Sequence, residues 1–252
     1  MNRSLVPFRT GLGRTLSLLG VVALLGPVHA RADDKAPATS PASNSAIEAK
    51  PRNDWMLHHE RLVEAARKGG YNLVFVGDSI TQGWGGSGRD VWARQYGRFK
   101  PLNLGISGDR TENVLWRLRH GEFDGLKPKA VVVMIGTNNV RSNTGPQIAE
   151  GVTAIVKEIE QRSPSSRILL LGVFPRGHEP GTPERKKLAE VNEIISKLDD
   201  GKTVFYLDIG EKFLSPDGTI SKEIMPDFLH PNAAGYQIWA SAMAPKLAQL
   251  LK

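Results

Sequence analysis

Residues 71–83, YNLVFVGDSITQG, decide how the chain is to be read. Leu73 to Val76 is an unbroken apolar run, short and β-prone enough to be a strand buried on both faces. It stops abruptly at Gly77-Asp78-Ser79, so a serine stands at the mouth of the strand. Such a serine is either a turn residue or a nucleophile on display, and the remaining elements choose between the two.

Working outward, apolar runs alternate with helical patterns. Trp55 to Lys68 has helical spacing and stops at Gly69-Gly70, before the first strand. Residues 100–105 (KPLNLG), 130–135 (AVVVMI), 167–173 (RILLLGV) and 203–207 supply four more strand candidates. Between them lie a helix after Asp109, read as its cap, and helices over about 146–161 and 183–198. A last helix runs from after His230 to Leu251, with Pro231 in its first turn. Five strands alternating with helices predict a single-domain α/β fold: a five-stranded parallel sheet covered by helices on both faces.

The ends of the chain narrow the setting. Residues 1–15 carry Arg3, Arg9 and Arg14 and no acid, Leu16 to Leu25 is apolar, and Val28-His29-Ala30 offers small residues for cleavage. This pattern predicts a signal peptide over 1–30, handled by the general secretory route because no Arg-Arg pair is present. The apolar run is too short to span a bilayer, which takes about 20 residues, so no membrane anchor should persist after signal removal. Export to the periplasm or the outside follows. Residues 31–52, rich in Ala, Pro and Ser, read as a flexible linker, leaving 53–252 as the globular domain. There is no cysteine, hence no disulfide and no thiolate metal site. Removing three arginines with the signal lowers the net charge from +7 to +4, which gives no basic footprint for nucleic acid.

In open α/β sheets, ligands bind beyond the carboxyl ends of the strands. Those ends deliver Gly77-Asp78-Ser79, Gly105 to Asp109, Gly136-Thr137-Asn138-Asn139 and Pro175 to His178, and the loop before the last helix adds Asp227 to His230. A serine nucleophile needs a base, a group that orients the base, and donors aimed at the developing oxyanion. Of six histidines, His29 leaves with the signal. His58 and His59 precede the sheet, where HHE (58–60) reads as surface rather than metal spacing, and His120 ends a helix. His178 has only the adjacent Glu179, whose side chain should point elsewhere. His230 has Asp227 three residues earlier and a helix directly after, which helps keep its imidazole neutral. The Ser79 and Gly108 amides and the Asn138 side chain are candidate oxyanion donors, ordinary turn roles being the alternative for the last two.

Other chemistries are weaker. GWGGSG (83–88) matches the dinucleotide fingerprint in letters, but six residues separate it from the strand. No P-loop and no G-x-S-x-G elbow is present. A glycan-binding module using the same cleft without catalysis is the alternative class, and it would have no need of Ser79, His230 and Asp227 together. Trp84 and Phe228 are candidates for walls of an acyl pocket, with core packing as the alternative. Asp78 is read chiefly as a turn residue and also as a candidate substrate contact. Arg176 either meets an anionic substrate or is a surface residue.

GDSITQG (77–83), NLGISGDRTENVLWRL (103–118), GTNN (136–139), FPRG (174–177) and DFLHPNAAGY (227–236) together resemble the motif blocks of the GDSL/SGNH hydrolases. Within that family they are most similar to the catalytic subunits of intracellular platelet-activating-factor acetylhydrolase and their bacterial relatives. The resemblance spans essentially all of residues 71–240. It implies a flavodoxin-like three-layer sandwich, Ser79 as nucleophile, His230 as base oriented by Asp227, and Gly108 and Asn138 as oxyanion donors with the Ser79 amide. It implies a serine esterase without cofactor or metal. The substrate expected is a small-molecule or glycan ester with a short acyl group, the export signal setting the chain apart from the intracellular enzymes. The resembling subunits dimerise, and the sequence itself names no interface for a homodimer.

Overall fold

The computed structural model describes residues 43–252; the expected signal peptide and residues 31–42 of the expected linker lie outside them. Helix α1 (Met56–Arg67) leads into strand β1 (Leu73–Gly77), the one-turn helix α2 (Ser79–Gln82) and helix α3 (Arg89–Tyr96). Then follow β2 (Pro101–Gly105), α4 (Thr111–Arg117), β3 (Ala130–Met134), α5 (Gly145–Arg162), β4 (Arg167–Leu171), α6 (Pro183–Ile195), β5 (Val204–Leu207) and α7 (Ala233–Leu250). All five strands are parallel, in the order β2-β1-β3-β4-β5.

The apolar runs become strands because both faces are covered. Val74, Val76, Val131, Val133, Ile168 and Leu170 face a core closed by α4, α5 and α6. Their alternates Phe75, Val132, Met134 and Leu171 face a second core closed by α3 and α7. Side chains alternate across a strand, so burial of both sets demands a continuous apolar run rather than an alternating one. Helix starts are locally encoded. Thr144 and Gln147 form a capping box on α5, and Thr182 caps α6 ahead of Pro183.

Four expectations change. Residues 43–52 are not a free linker. A helical turn at Ser45–Ile47 buries Ala46, whose carbonyl accepts from Thr111 Oγ1 at 2.8 Å, and Asn44 Nδ2 donates to Glu150 Oε2 at 2.7 Å. Polar anchoring of backbone does here what large apolar groups would otherwise do. Asp109 does not cap α4: it is fully buried and receives Arg117 Nε at 2.7 Å and Trp55 Nε1 at 2.8 Å. Pro231 lies just outside α7, whose cap is Asn232, accepting from the amides of Ala234 and Gly235. His59 is buried rather than exposed, with Nδ1 2.8 Å from Glu122 Oε1. Arg117, itself fully buried, pairs with that same Glu122. Helix α3, with its polar sequence RDVWARQY, was not foreseen; Val91 and Tyr96 hold it to the core.

Candidate active site

The chain leaves β1 for β2 on one side, while β3 lies on the other side of β1, so a crevice opens where these connections diverge. Ser79 enters it as the first residue of α2. Asp78 caps that helix, Oδ1 accepting from the Ile80 amide at 3.0 Å. A serine in the first turn has no intrahelical acceptor for its own N–H. The long loop before α7 brings His230 over it, with Nε2 2.8 Å from Ser79 Oγ, although 151 residues separate them in sequence. Asp227 Oδ2 lies 2.6 Å from His230 Nδ1, and its Oδ1 accepts the backbone amides of His230 at 2.8 Å and Leu229 at 3.1 Å. Burial pushes the Asp227 carboxyl up, but the His230 side chain and these amides outweigh it and hold it below its ordinary range. An ionised Asp227 accepts the Nδ1–H, which leaves the Nε2 lone pair facing the serine hydroxyl.

Opposite the histidine, the turn after β2 presents Gly108 in the left-handed region, φ +78°. Among the described residues, neither the Ser79 nor the Gly108 amide has a protein acceptor. Asn138 donates one amide hydrogen to the Asp109 carbonyl at 2.8 Å, which fixes its plane and leaves the second hydrogen free. The carboxyl ends of the adjacent strands β1, β2 and β3 thus each supply one N–H without an acceptor among the described residues.

The turn carrying Gly108 is held from several sides. Gln82 Oε1 accepts the Ser107 amide at 2.9 Å, and Arg52 donates to the Ser107 carbonyl at 2.9 Å and to Asp109 Oδ1 at 3.3 Å. Burial raises the Asp109 pKa, while Arg117 and then Arg52 counter it. Arg117 also reaches the Gly77 carbonyl, at 3.3 Å, so one buried guanidinium ties the end of β1 to the turn after β2. Sequence reading missed Arg52 and Gln82. Gln82 sits one helical turn beyond Ser79, a spacing that could have marked it; nothing local marks Arg52.

The remaining candidates separate. Trp84 is fully buried among Phe75, Tyr96, Tyr236 and Trp239 and walls no pocket. Asp78 is buried beneath Ser79, out of reach of substrate, with Oδ2 lacking any partner among the described residues. Burial raises its pKa to about 7 against the Ile80 hydrogen bond, and Asp109 adds to the rise. Both residues follow the backbone inward because the first turns after β1 pack under the sheet edge. Phe228 and Arg176 do reach the crevice, lining a cleft of about 300 Å³ with Asp227 and Leu229. On the other side Ser79 borders a cleft of about 600 Å³ with His58, Leu62 and Gln82, so His58 comes near the site after all. His178 does pair with its neighbour Glu179, at 2.6 Å, but both are exposed and the ring packs on Phe228 rather than on Ser79.

Comparisons with known proteins bear on the family and the fold. The GDSL-like lipase/acylhydrolase family matches residues 75–238. Platelet-activating factor acetylhydrolase IB subunit alpha2 of Rattus norvegicus is 38% identical over 220 residues, covering 87% of this chain and 93% of that one. Among solved structures, an acetylxylan esterase of Geobacillus stearothermophilus superimposes with a TM-score of 0.56 at 18% identity, over 71% of this chain and 94% of the other. A carbohydrate acetylesterase of Sinorhizobium meliloti also gives 0.56, at 20% identity, over 71% and 99%. The two structural likenesses speak for the fold, and the sequence matches for the family. The chain belongs to the GDSL-like lipase/acylhydrolase (SGNH) family and is a carboxylic ester hydrolase.

Proposed function

We propose that this chain is an exported serine esterase that removes short acyl groups, chiefly acetyl, from a carbohydrate or a small lipid ester. The observation that carries the mechanism is the line Ser79 Oγ, His230 Nε2, His230 Nδ1, Asp227 Oδ2, with separations of 2.8 and 2.6 Å; the Ser79 and Gly108 amides and the second Asn138 amide hydrogen have no acceptor among the described residues. Ser79 Oγ attacks the ester carbonyl as His230 Nε2 takes its proton, and Asp227 steadies the imidazolium. The carbonyl oxygen, now negative, is met by the Ser79 and Gly108 amides and the free Asn138 N–H. Collapse breaks the bond to the alcohol oxygen, which receives the proton from His230. Water, deprotonated by the same nitrogen, then releases the acid and restores Ser79. A non-catalytic glycan-binding module is set aside, because the chain is a hydrolase by family.

A short acyl group is supported by the spacing of the motif blocks, which leaves no insertion long enough for a lid over the crevice. Relatives named as acetylhydrolase and acetylesterase point the same way. Export rests on the basic, apolar and small-residue order of residues 1–30. The test is hydrolysis of p-nitrophenyl acetate, butyrate and octanoate by residues 31–252, with and without Ser79→Ala. Rates that fall with chain length and drop roughly 10³-fold or more in the variant are expected. An unchanged rate in the variant would end this mechanism.

A further inference from the structure

Two arginines stand beside the triad and do nothing in the reaction just described. Arg176, from the segment after β4, and Arg141, three residues beyond Asn138, line the same cleft of about 300 Å³ as Asp227, Phe228 and Leu229. Among the described residues, neither arginine has a carboxylate within 4.0 Å. Arg176 is half-buried and aimed: one Nη donates to the Thr137 carbonyl at 2.8 Å and to Thr137 Oγ1 at 3.1 Å, leaving the rest of its fork free. Its backbone is clamped as well. Arg185 donates to the carbonyls of Arg176 at 3.2 Å, Gly177 at 2.8 Å and His178 at 3.0 Å. The Gly177 amide, in turn, donates to the Phe228 carbonyl at 2.8 Å. Burial, and then the charge of Arg141, lower the Arg176 pKa, yet a guanidinium stays charged throughout the working range.

Arg176 is partly out of water, Arg141 adds a like charge from the exposed rim of the same cleft, and neither has a carboxylate partner among the described residues, an arrangement that a bound anion relieves. The acids lining the cleft do not supply that anion. Asp227 is committed to His230 at 2.6 Å, and Glu184 stays beyond ion-pair distance of both arginines. A planar fork fixed in advance suits carboxylate or phosphate oxygens and loses little freedom on binding.

We propose that Arg141 and Arg176 form a subsite for an oxyanion, carboxylate or phosphate, carried by the substrate next to its ester. The subsite rests on the esterase reading and specifies its substrate class: an anionic acyl ester, as on an acidic sugar, a phosphorylated alcohol or a dicarboxylic half-ester. Phe228 forms the apolar wall. Its φ of +60°, unusual for a bulky side chain, is held by the hydrogen bond from its amide to the Met225 carbonyl at 2.8 Å. Glu184 tempers the site and disfavours anions too far from the arginine pair.

Three substrate pairs locate the anion: O-acetyl-lactate against its methyl ester, 1-acetylglycerol 3-phosphate against 1-acetylglycerol, and monoethyl against diethyl succinate. The first two put charge on the alcohol, the third on the acyl group. In each pair kcat/KM is measured at low salt, and binding of both members to Ser79→Ala protein is measured by calorimetry. At least one charged member is expected to be preferred by roughly tenfold or more, the scale of a charge-assisted hydrogen bond. The charged-to-neutral ratio should fall toward one in Arg141→Gln and in Arg176→Gln, and rise in Glu184→Gln. Arg141 is exposed, so its variant keeps the test open if Arg176→Gln, which loses the Thr137 anchor, melts early. Equal treatment of every pair by the unsubstituted chain, or a preference that survives both arginine substitutions, overturns the subsite. If no ester is turned over, the binding ratios in Ser79→Ala still decide, and the esterase reading fails separately.

Discussion

Asp78→Asn should make the protein less sensitive to alkali. Asp78 is buried, one oxygen capping α2 and the other without a partner among the described residues, and its pKa rises from an ordinary 3.8 to about 7. The native state therefore keeps a proton that the unfolded chain has lost at any pH between about 4 and 7. Stability is greatest below the unfolded pKa, declines as pH rises through that window, and loses no more from this group above about 7. The full rise corresponds to about 4 kcal/mol, of which about 3 kcal/mol falls between pH 5 and pH 8. Asparagine keeps an oxygen for the Ile80 amide and never ionises, so it resembles the protonated aspartate. The difference in melting temperature, variant minus unsubstituted, should be small at pH 5 and grow by roughly 6–12 °C by pH 8. Thermal unfolding of both proteins followed by circular dichroism at several pH values gives that difference, in which all other titrating groups cancel. A difference that stays flat with pH would refute the claim that this carboxyl is desolvated and uncompensated.

Removing the Arg52 guanidinium with Arg52→Ala frees the Ser107 carbonyl and loosens the turn that presents the Gly108 amide. Steady-state kinetics on p-nitrophenyl acetate should show kcat lower by about tenfold, with KM moving much less, as expected when a transition-state donor drifts. Added guanidinium should recover part of the loss; a fall in KM-based binding alone would contradict the positioning role. Asn138→Ala removes a side-chain donor to the oxyanion and should lower kcat by about 10²-fold at nearly unchanged melting temperature.

Much of this molecule could be read locally, and what could not has a common cause. The five strands were legible because a sheet covered on both faces needs unbroken apolar runs, and the runs at 73–76, 130–135 and 167–173 are hard to place otherwise. Asp227 and His230 were legible as a pair because their spacing closes a hydrogen bond within one loop. Pairing with Ser79 came from topology, since parallel strands deliver their ends to one edge. Side-chain direction at Trp84 and Asp78 was not legible. Both lie within a few residues of Ser79; packing against Phe75 and Tyr236 puts Trp84 in the core, and capping of α2 keeps Asp78 buried beside the site. The segment 43–52 escaped for another reason. Its hold on the domain is made of backbone hydrogen bonds to Thr111, Glu112 and Asn113 and the Arg52 contacts, which leave no mark on composition or periodicity. Polar α3 was hidden in the same way.

The central claim is that Ser79 carries the acyl group. Incubation with a fluorophosphonate, followed by proteolysis and mass spectrometry of the peptides, reads this directly. The account predicts one equivalent of label on Ser79, loss of esterase activity in step with labelling, and no label in His230→Ala protein over the same time. Label on another residue, or full esterase activity with Ser79 completely modified, would contradict it.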